Sequence, residues 1–271
     1  MLPVLCGAAA IGSMIAICCI RTQPHYRRDA FIKGLERNGY SIVQAGQPKN
    51  SSDLLVIWNR HGGFEAMADA WEARGGTVLV CENGYIGKDK EGRQFYAISA
   101  HGHNGSGWFP QCTGRFEKLE IELKPWREGG EHVLVCGQRG IGSKTMASPV
   151  NWHEKAAKRI QKLVERQVRI RPHPGKDPPK TPVEDDLRGA FACAIWSSSS
   201  GVKALVNGIP VAFDAPFWIA EDCAVKLDGI AHPIMDDGKR WQAMEKVANA
   251  QWSVAEIESG KPFALFRERL N

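Results

Sequence analysis

A chain of 271 residues with 43% apolar content can bury a sizeable core, in one large domain or two compact ones. Its 35 Lys and Arg against 30 Asp and Glu give a net charge of +5, which admits acidic ligands without requiring nucleic acid. The eight cysteines are scattered and form no CxxC pair, so a disulfide framework or zinc ribbon is excluded and buried thiols in a reducing, cytoplasmic compartment are expected.

Residues 1–20 carry no charged side chain. A secretory leader needs a positive n-region and a small-residue cleavage site, and neither is clear; Pro3, Gly7 and Gly12 weaken a membrane helix. Residues 14–20 therefore read as a buried first strand, residues 1–12 as a lead-in strand or loose terminus, and no membrane anchor is expected. Residues 26–38 follow as an amphipathic helix with Ala30, Phe31 and Leu35 on one side and Gly39 at its end. A short strand at 41–43 and a continuous apolar strand at 53–58 come next. Asn59-Arg60-His61-Gly62-Gly63 makes the turn into a helix marked by Phe64, Met67 and Trp71. Residues 77–81 form another strand, with Glu82-Asn83-Gly84 as a turn at its carboxyl end.

Between 113 and 131 the pattern breaks at Lys118, Lys124, Pro125, Arg127, Gly129 and Gly130, and then it restarts. Residues 132–136 are a strand. Asn151 can cap the helix bearing Trp152, Ala156, Ile160 and Leu163, with Glu154 completing a capping box. Strands at 167–171, 191–196 and 209–213 follow, and a closing helix spans 239–258 with no strand after it. Apolar strands joined by helices imply parallel sheets covered on both faces. The expected architecture is α/β, with two Rossmann-like domains at 1–125 and 126–271 facing a cleft.

Two motifs stand at strand ends of the second half. Arg171-Pro172-His173-Pro174-Gly175 follows one apolar run, and Trp196-Ser197-Ser198-Ser199-Ser200-Gly201 follows another and opens a helix. A helix start attracts anions, and the crevice at the carboxyl ends of strands is the usual ligand position in such sheets. Phosphate is therefore expected at Arg171, His173, Ser198, Ser199 and Ser200. Ser199 and Ser200 are the preferred pair, although the serines can serve simply as a cap. The glycine-rich loop at 137–144 adds Gln138, Arg139, Gly140 and Ser143. It is no P-loop, because Ser143 precedes Lys144 where a Ser or Thr must follow the lysine.

In the first half, Glu82 is the candidate general base, the only carboxylate placed at a strand end there. His61 and His101 are alternative catalytic groups. His101 and His103 can line the acceptor side, with 102–107 as a mobile lid, and Arg60 can neutralise an acidic acceptor or leaving phosphate. His101-x-His103 has no third metal ligand placed by sequence, and no DxD is present, so no essential metal is expected. Lys155, Lys158, Arg159, Lys162 and Arg166 surround a helix and read first as a solvated face; with Arg169, Arg171, Lys176 and Lys180 they can also follow a phosphate backbone.

Arg171-Pro172-His173-Pro174, the serine cluster opening a helix, and Gly208-Ile209-Pro210-Val211 resemble the donor-binding half of GT-B glycosyltransferases. The likeness is to capsule-type Kdo transferases and to bacterial sialyltransferases with HP and serine motifs, and it covers mainly 130–220. The whole chain, including Glu82-Asn83-Gly84-Tyr85, His101-Gly102-His103-Asn104-Gly105 and Gln251-Trp252-Ser253, also resembles a group of phage and prophage proteins. The resemblance implies a metal-independent transferase that uses a nucleotide-sugar as co-substrate and no other cofactor. It also implies that His173 contacts the donor phosphate. The sialyltransferases carry an acidic pair before a glycine, where this chain has Glu82-Asn83. The acceptor implied is a surface glycan or a hydroxymethylated base in DNA. A non-catalytic nucleotide- or nucleic-acid-binding protein is the alternative.

Overall fold

Runs of apolar, largely β-branched residues make the strands, and the polar and glycine-containing segments between them make helices and turns. In the computed structural model the described residues are 14–175, 177 and 180–270, so the expected lead-in at 1–12 and Lys176 lie outside them. The first half comprises β1 (Ile15–Cys18), α1 (Arg28–Arg37), β2 (Ser41–Ile42), β3 (Leu54–Trp58), α2 (Gly63–Glu72), β4 (Thr77–Lys88) and β5 (Gln94–Ala100). The second comprises β6 (His132–Cys136), α3 (Trp152–Ile160), β7 (Gln167–Arg171), α4 (Val183–Asp186), β8 (Ala190–Ile195), α5 (Ser199–Val206), β9 (Val211–Phe213) and β10 (Ala224–Lys226). The chain closes with α6 (Asp237–Ala250), β11 (Gln251–Trp252), α7 (Val254–Ser259) and α8 (Lys261–Leu270).

The fold is mixed α/β with two sheets dominated by parallel strands. The first has the order β11-β5-β4-β3-β1-β2 and the second β10-β9-β8-β6-β7. All pairs of the second sheet are parallel, whereas β5 runs antiparallel to both β4 and β11. Alternate side chains divide each sheet between two cores. Ile17, Leu55, Ile57, Val78 and Val80 pack with Ala68 and Trp71 of α2. Val133, Val135, Ala192 and Ala194 pack with Trp152, Ala156 and Ile160 of α3. The opposite faces, with Leu79 and Cys81 on one sheet and Leu134 and Ile195 on the other, join a single large core with residues of α1, α5, α6, α7 and α8. Each fully buried Leu, Ile or Phe there stabilises the fold by about 1.5–3 kcal/mol, so the halves are held against each other by apolar burial.

Several local expectations are corrected. β4 does not end at Cys81: it continues through Glu82 to Lys88, paired with β5. Its register shifts between Asn83 and Lys88, and the Gln251 side chain completes that stretch by accepting from the Tyr85 and Ile86 N–H groups and donating to the Ile86 carbonyl. Gly84 permits the passage, because a Cβ there would lie 2.7 Å from the Phe95 Cβ. Asn151 sits at φ 53° and makes no side-chain cap, so the expected capping box with Glu154 is absent. The closing helix breaks after Ala250 because Gln251 and Trp252 extend to pair with β5, so a strand does follow it. The capping box lies beyond that strand, at Ser253 and Glu256.

Candidate active site between the two sheets

A polar cavity of about 220 Å³ opens between the carboxyl ends of the two sheets. On the first-sheet wall stand Trp58, Asn59, Glu82, Tyr85, His103 and Asn104; on the second, Gln138, Arg139, Ile141, His173, Ser197, Ser198 and Ser199. An adjoining cavity of about 480 Å³ shares His173, Ser198 and Ser199 and reaches Arg171, Glu184 and Lys203.

Glu82 is half-buried, and one of its carboxylate oxygens accepts a 2.6 Å hydrogen bond from the Tyr85 hydroxyl. Burial and the Glu82 charge push the Tyr85 phenol well above its ordinary range, so the hydroxyl stays protonated and donates. Glu82 therefore lies within β4, with its carboxylate held by Tyr85 three residues on in the same strand, and no turn is needed to expose it to the cavity.

The serine helix divides its labour. Ser198, outside the preferred pair Ser199 and Ser200, caps α5, its Oγ accepting from the Ser200 N–H at 3.1 Å, so its hydroxyl is tied up by capping geometry. Ser198 Oγ also donates to Ser200 Oγ at 3.1 Å. Ser199 lines both cavities and Ser200 lines the second. Gly201 lets the helix approach closely, since a Cβ there would meet Ile195 Cδ1 at 2.6 Å and Trp218 at 2.7 Å. Upstream, the Ser197 N–H donates to Gln138 Oε1 at 2.6 Å and Gln138 Nε2 donates to Ser197 Oγ at 3.4 Å.

His173 stands on the exposed rim, with Nδ1 accepting from the Gly175 N–H at 2.9 Å. In the neutral ring the proton is thereby assigned to Nε2. Desolvation, and then the nearby Arg139 charge, lower its pKa below the ordinary histidine value. Arg139 is exposed at the cavity and has no hydrogen-bond or ion-pair partner among the described residues. Arg171 is committed instead: it pairs with Asp186 and donates to Thr181, both oxygens of which it reaches.

The remaining expected residues lie outside the cavity lining. Gly140 donates to Ser148 Oγ, Ser143 Oγ is bonded to Thr145, and the loop is pinned across the halves by Lys144 N–H to Glu65. His61 Nδ1 lies 3.3 Å from the Gly142 carbonyl. His101 is paired with Glu72, which Arg60 also binds through both carboxylate oxygens. Arg60 thus serves a local ion cluster. The loop at 102–107 is packed in place: a Cβ on Gly105 would lie 2.7 Å from the Trp218 carbonyl carbon, and Asn104 is bonded to both Ser197 and Ile219. That packing corrects the reading of a mobile lid. Trp58 and Tyr85 were not foreseen; the only signal was their position beside Asn59 and Glu82 on adjacent strands. No group of three His, Cys, Asp or Glu able to hold a metal occurs among the described residues, and no helix there is long and apolar enough to cross a membrane.

No family model matches the sequence, and no curated protein matches it. Among solved structures, the chain is similar to the beta Kdo 2,7 transferase of Thermosulfurimonas dismutans KpsC, with 14% identity and a TM-score of 0.55 over 95% of this chain and 98% of that one. It is also similar to the beta Kdo 2,4 transferase of the same KpsC, with 14% identity and a TM-score of 0.50 over 88% of this chain and 90% of that one. What this chain has in common with those two transferase structures, at that identity, is the α/β fold.

Proposed function

We propose that the chain is a metal-independent glycosyltransferase that moves a sugar from a nucleotide-sugar donor to an acceptor hydroxyl. Residues 126–271 form the donor-side domain and 1–125 the acceptor side, in a GT-B-like arrangement. The observation that carries this reading is the facing of Glu82, across one cavity, with Arg139, His173 and the N-terminus of α5. The similar structures are Kdo transferases, which makes a nucleotide-linked sugar acid the first donor to try.

The acceptor hydroxyl gives its proton to Glu82 as its oxygen bonds to the anomeric carbon. The anomeric C–O bond to phosphate breaks, and the leaving phosphate takes the electron pair. The charge growing there is met by the helix N-terminus, the Arg139 guanidinium and the His173 Nε2–H, which bind it more strongly in the transition state than in the donor. Because His173 is held neutral near pH 7, it acts as a donor; a bound phosphate would favour its protonation. Nucleotide affinity should therefore rise as pH falls below the ordinary histidine value, and His173→Ala should remove that rise.

The acceptor proposed is a surface glycan or, in a phage-encoded enzyme, a hydroxymethylated DNA base, in the cytoplasm. The test is a thermal-shift panel of CMP, UDP, GDP and ADP with their sugar conjugates, followed by turnover with the conjugate that binds. A ligand at one hundred times its dissociation constant stabilises by about 2.7 kcal/mol. Selective stabilisation by one nucleotide, lost in Arg139→Ala, supports the reading; stabilisation without turnover on any acceptor leaves a binding module. A second reading, nucleic-acid binding, draws on exposed Lys155, Lys158, Lys162 and Arg166, and it requires log K to fall steeply with log salt.

A further inference from the structure

Asn104 touches both walls of the cavity. It is buried, at 7% exposure, and sits at φ 52°, a left-handed conformation that asparagine tolerates. Its side-chain amide donates to the Ser197 carbonyl, and its Oδ1 accepts from the Ile219 N–H at 3.4 Å. The N–H of Ser197 donates to Gln138 Oε1 at 2.6 Å. One residue, Ser197, immediately before the cap of α5, is thus gripped on its N–H by the second half and on its carbonyl by the first. Tyr85, whose hydroxyl donates to Glu82, lines the same wall of the cavity as Asn104.

We propose that Asn104 is a positioning residue that sets the placement of the donor-binding helix relative to the wall carrying Glu82, holding Ser197 and Ile219 with its side chain. This role rests on the glycosyltransferase reading above, but the tether is testable without substrate. The position is suited to it: neighbouring Gly105, at φ 91°, lets the loop abut the backbone of Trp218 and Ile219, so the asparagine cannot swing aside. The Gln138 contact stays within the second half, whereas the Asn104 contact spans the two. Transfer needs both walls at once, whereas donor binding needs only the second.

Asn104→Gly keeps the left-handed backbone and removes the side chain. Hydrogen exchange followed by mass spectrometry on the free, full-length protein should show the amides of 197–202 exchanging about tenfold faster, the effect of one net hydrogen bond. Exchange in α3, on the outer face of the second sheet, should not change. With CMP, UDP, GDP and ADP conjugates in turnover, this variant should lose kcat at least tenfold while donor KM stays within about twofold; Gln138→Ala should instead raise donor KM. A merely structural role would move the thermal midpoint and donor KM together. Asn104→Asp, which preserves size and backbone but places an oxygen against the Ser197 carbonyl, supplies the same reading if the glycine variant fails to fold. Unchanged exchange at 197–202 in a folded variant overturns the tether, and equal losses in kcat and KM overturn the positioning role. If none of the nucleotides stabilises the wild-type protein, the glycosyltransferase reading fails, and the exchange result still decides whether the tether exists.

Discussion

On the first wall of the cavity Glu82, Tyr85 and Asn104 are already hydrogen-bonded: Tyr85 to Glu82, Gln251 to the Tyr85 backbone, and Asn104 across to Ser197 and Ile219. On the second wall Arg139 has no partner among the described residues, and His173 uses only Nδ1. A carboxylate already hydrogen-bonded by its neighbour is held at a fixed place, as a base must be to reach a proton. A wall with unused donors at a helix start has the chemistry the proposed anionic donor needs. The contrast also separates cations that look equivalent in sequence, since Arg171 is bonded to Asp186 and Thr181, whereas Arg139 is not bonded to either half.

The strongest way to break this comparison is Glu82→Gln. Loss of a positioned base typically costs about 10²–10⁴-fold; kcat should fall by that order while nucleotide binding, read by thermal shift, stays within about twofold. Full turnover in this variant would transfer the role to another group and remove the functional meaning of the first wall.

The two arginines sharpen the second wall. Arg139→Ala should weaken nucleotide binding roughly ten- to hundredfold, the range expected of a lost charge-assisted hydrogen bond, without lowering the unfolding midpoint. Arg171→Ala should do the reverse, lowering stability by about 1–2 kcal/mol through its Asp186 and Thr181 bonds, with a smaller effect on affinity. Calorimetry and urea denaturation on both variants decide the matter, and equal behaviour would refute the distinction.

Gly105→Ala tests the fixed loop. Its positive φ and the backbone atoms at 2.7 and 2.8 Å from a new Cβ should destabilise the protein by roughly 1–3 kcal/mol in denaturant titration. A neutral result would return 102–107 to the status of a lid.

The smallest expected effect lies away from the cavity. Burial pushes the Glu256 carboxyl up, but Arg115, the Ser253 N–H and Lys261 outweigh it and hold the group down at about 2, against 4.5 unperturbed. A depressed carboxylate contributes stability that is present above the unfolded value and lost as pH falls through the folded one. The unfolding midpoint should therefore drop between pH 4.5 and about 2, and Glu256→Gln should flatten that segment of the profile.

Strand and helix positions were largely legible, because a continuous apolar run such as Leu54–Trp58 has no stable alternative to burial within a covered sheet. The extension of β4 was not legible. Glu82-Asn83-Gly84 has the composition of a turn, and it is β5 and the Gln251 side chain, 166 residues from Tyr85, that keep it extended. Likewise Ser198, Ser199, His173 and Arg139 could be chosen from motifs, whereas Trp58, Tyr85 and the bridging role of Asn104 could not. His61 and His101 carry the right chemistry, yet backbone and carboxylate partners hold them outside the cavity lining.

From local pattern alone the chain thus determines an α/β fold, its parallel strands and the segment that offers a helix start to an anion, since periodicity and capping act over a few residues. The tertiary structure decides which polar groups are already satisfied and which remain available. That depends on partners distant in sequence, such as Asn104 and Ser197, brought together by the apolar core that the two sheets share.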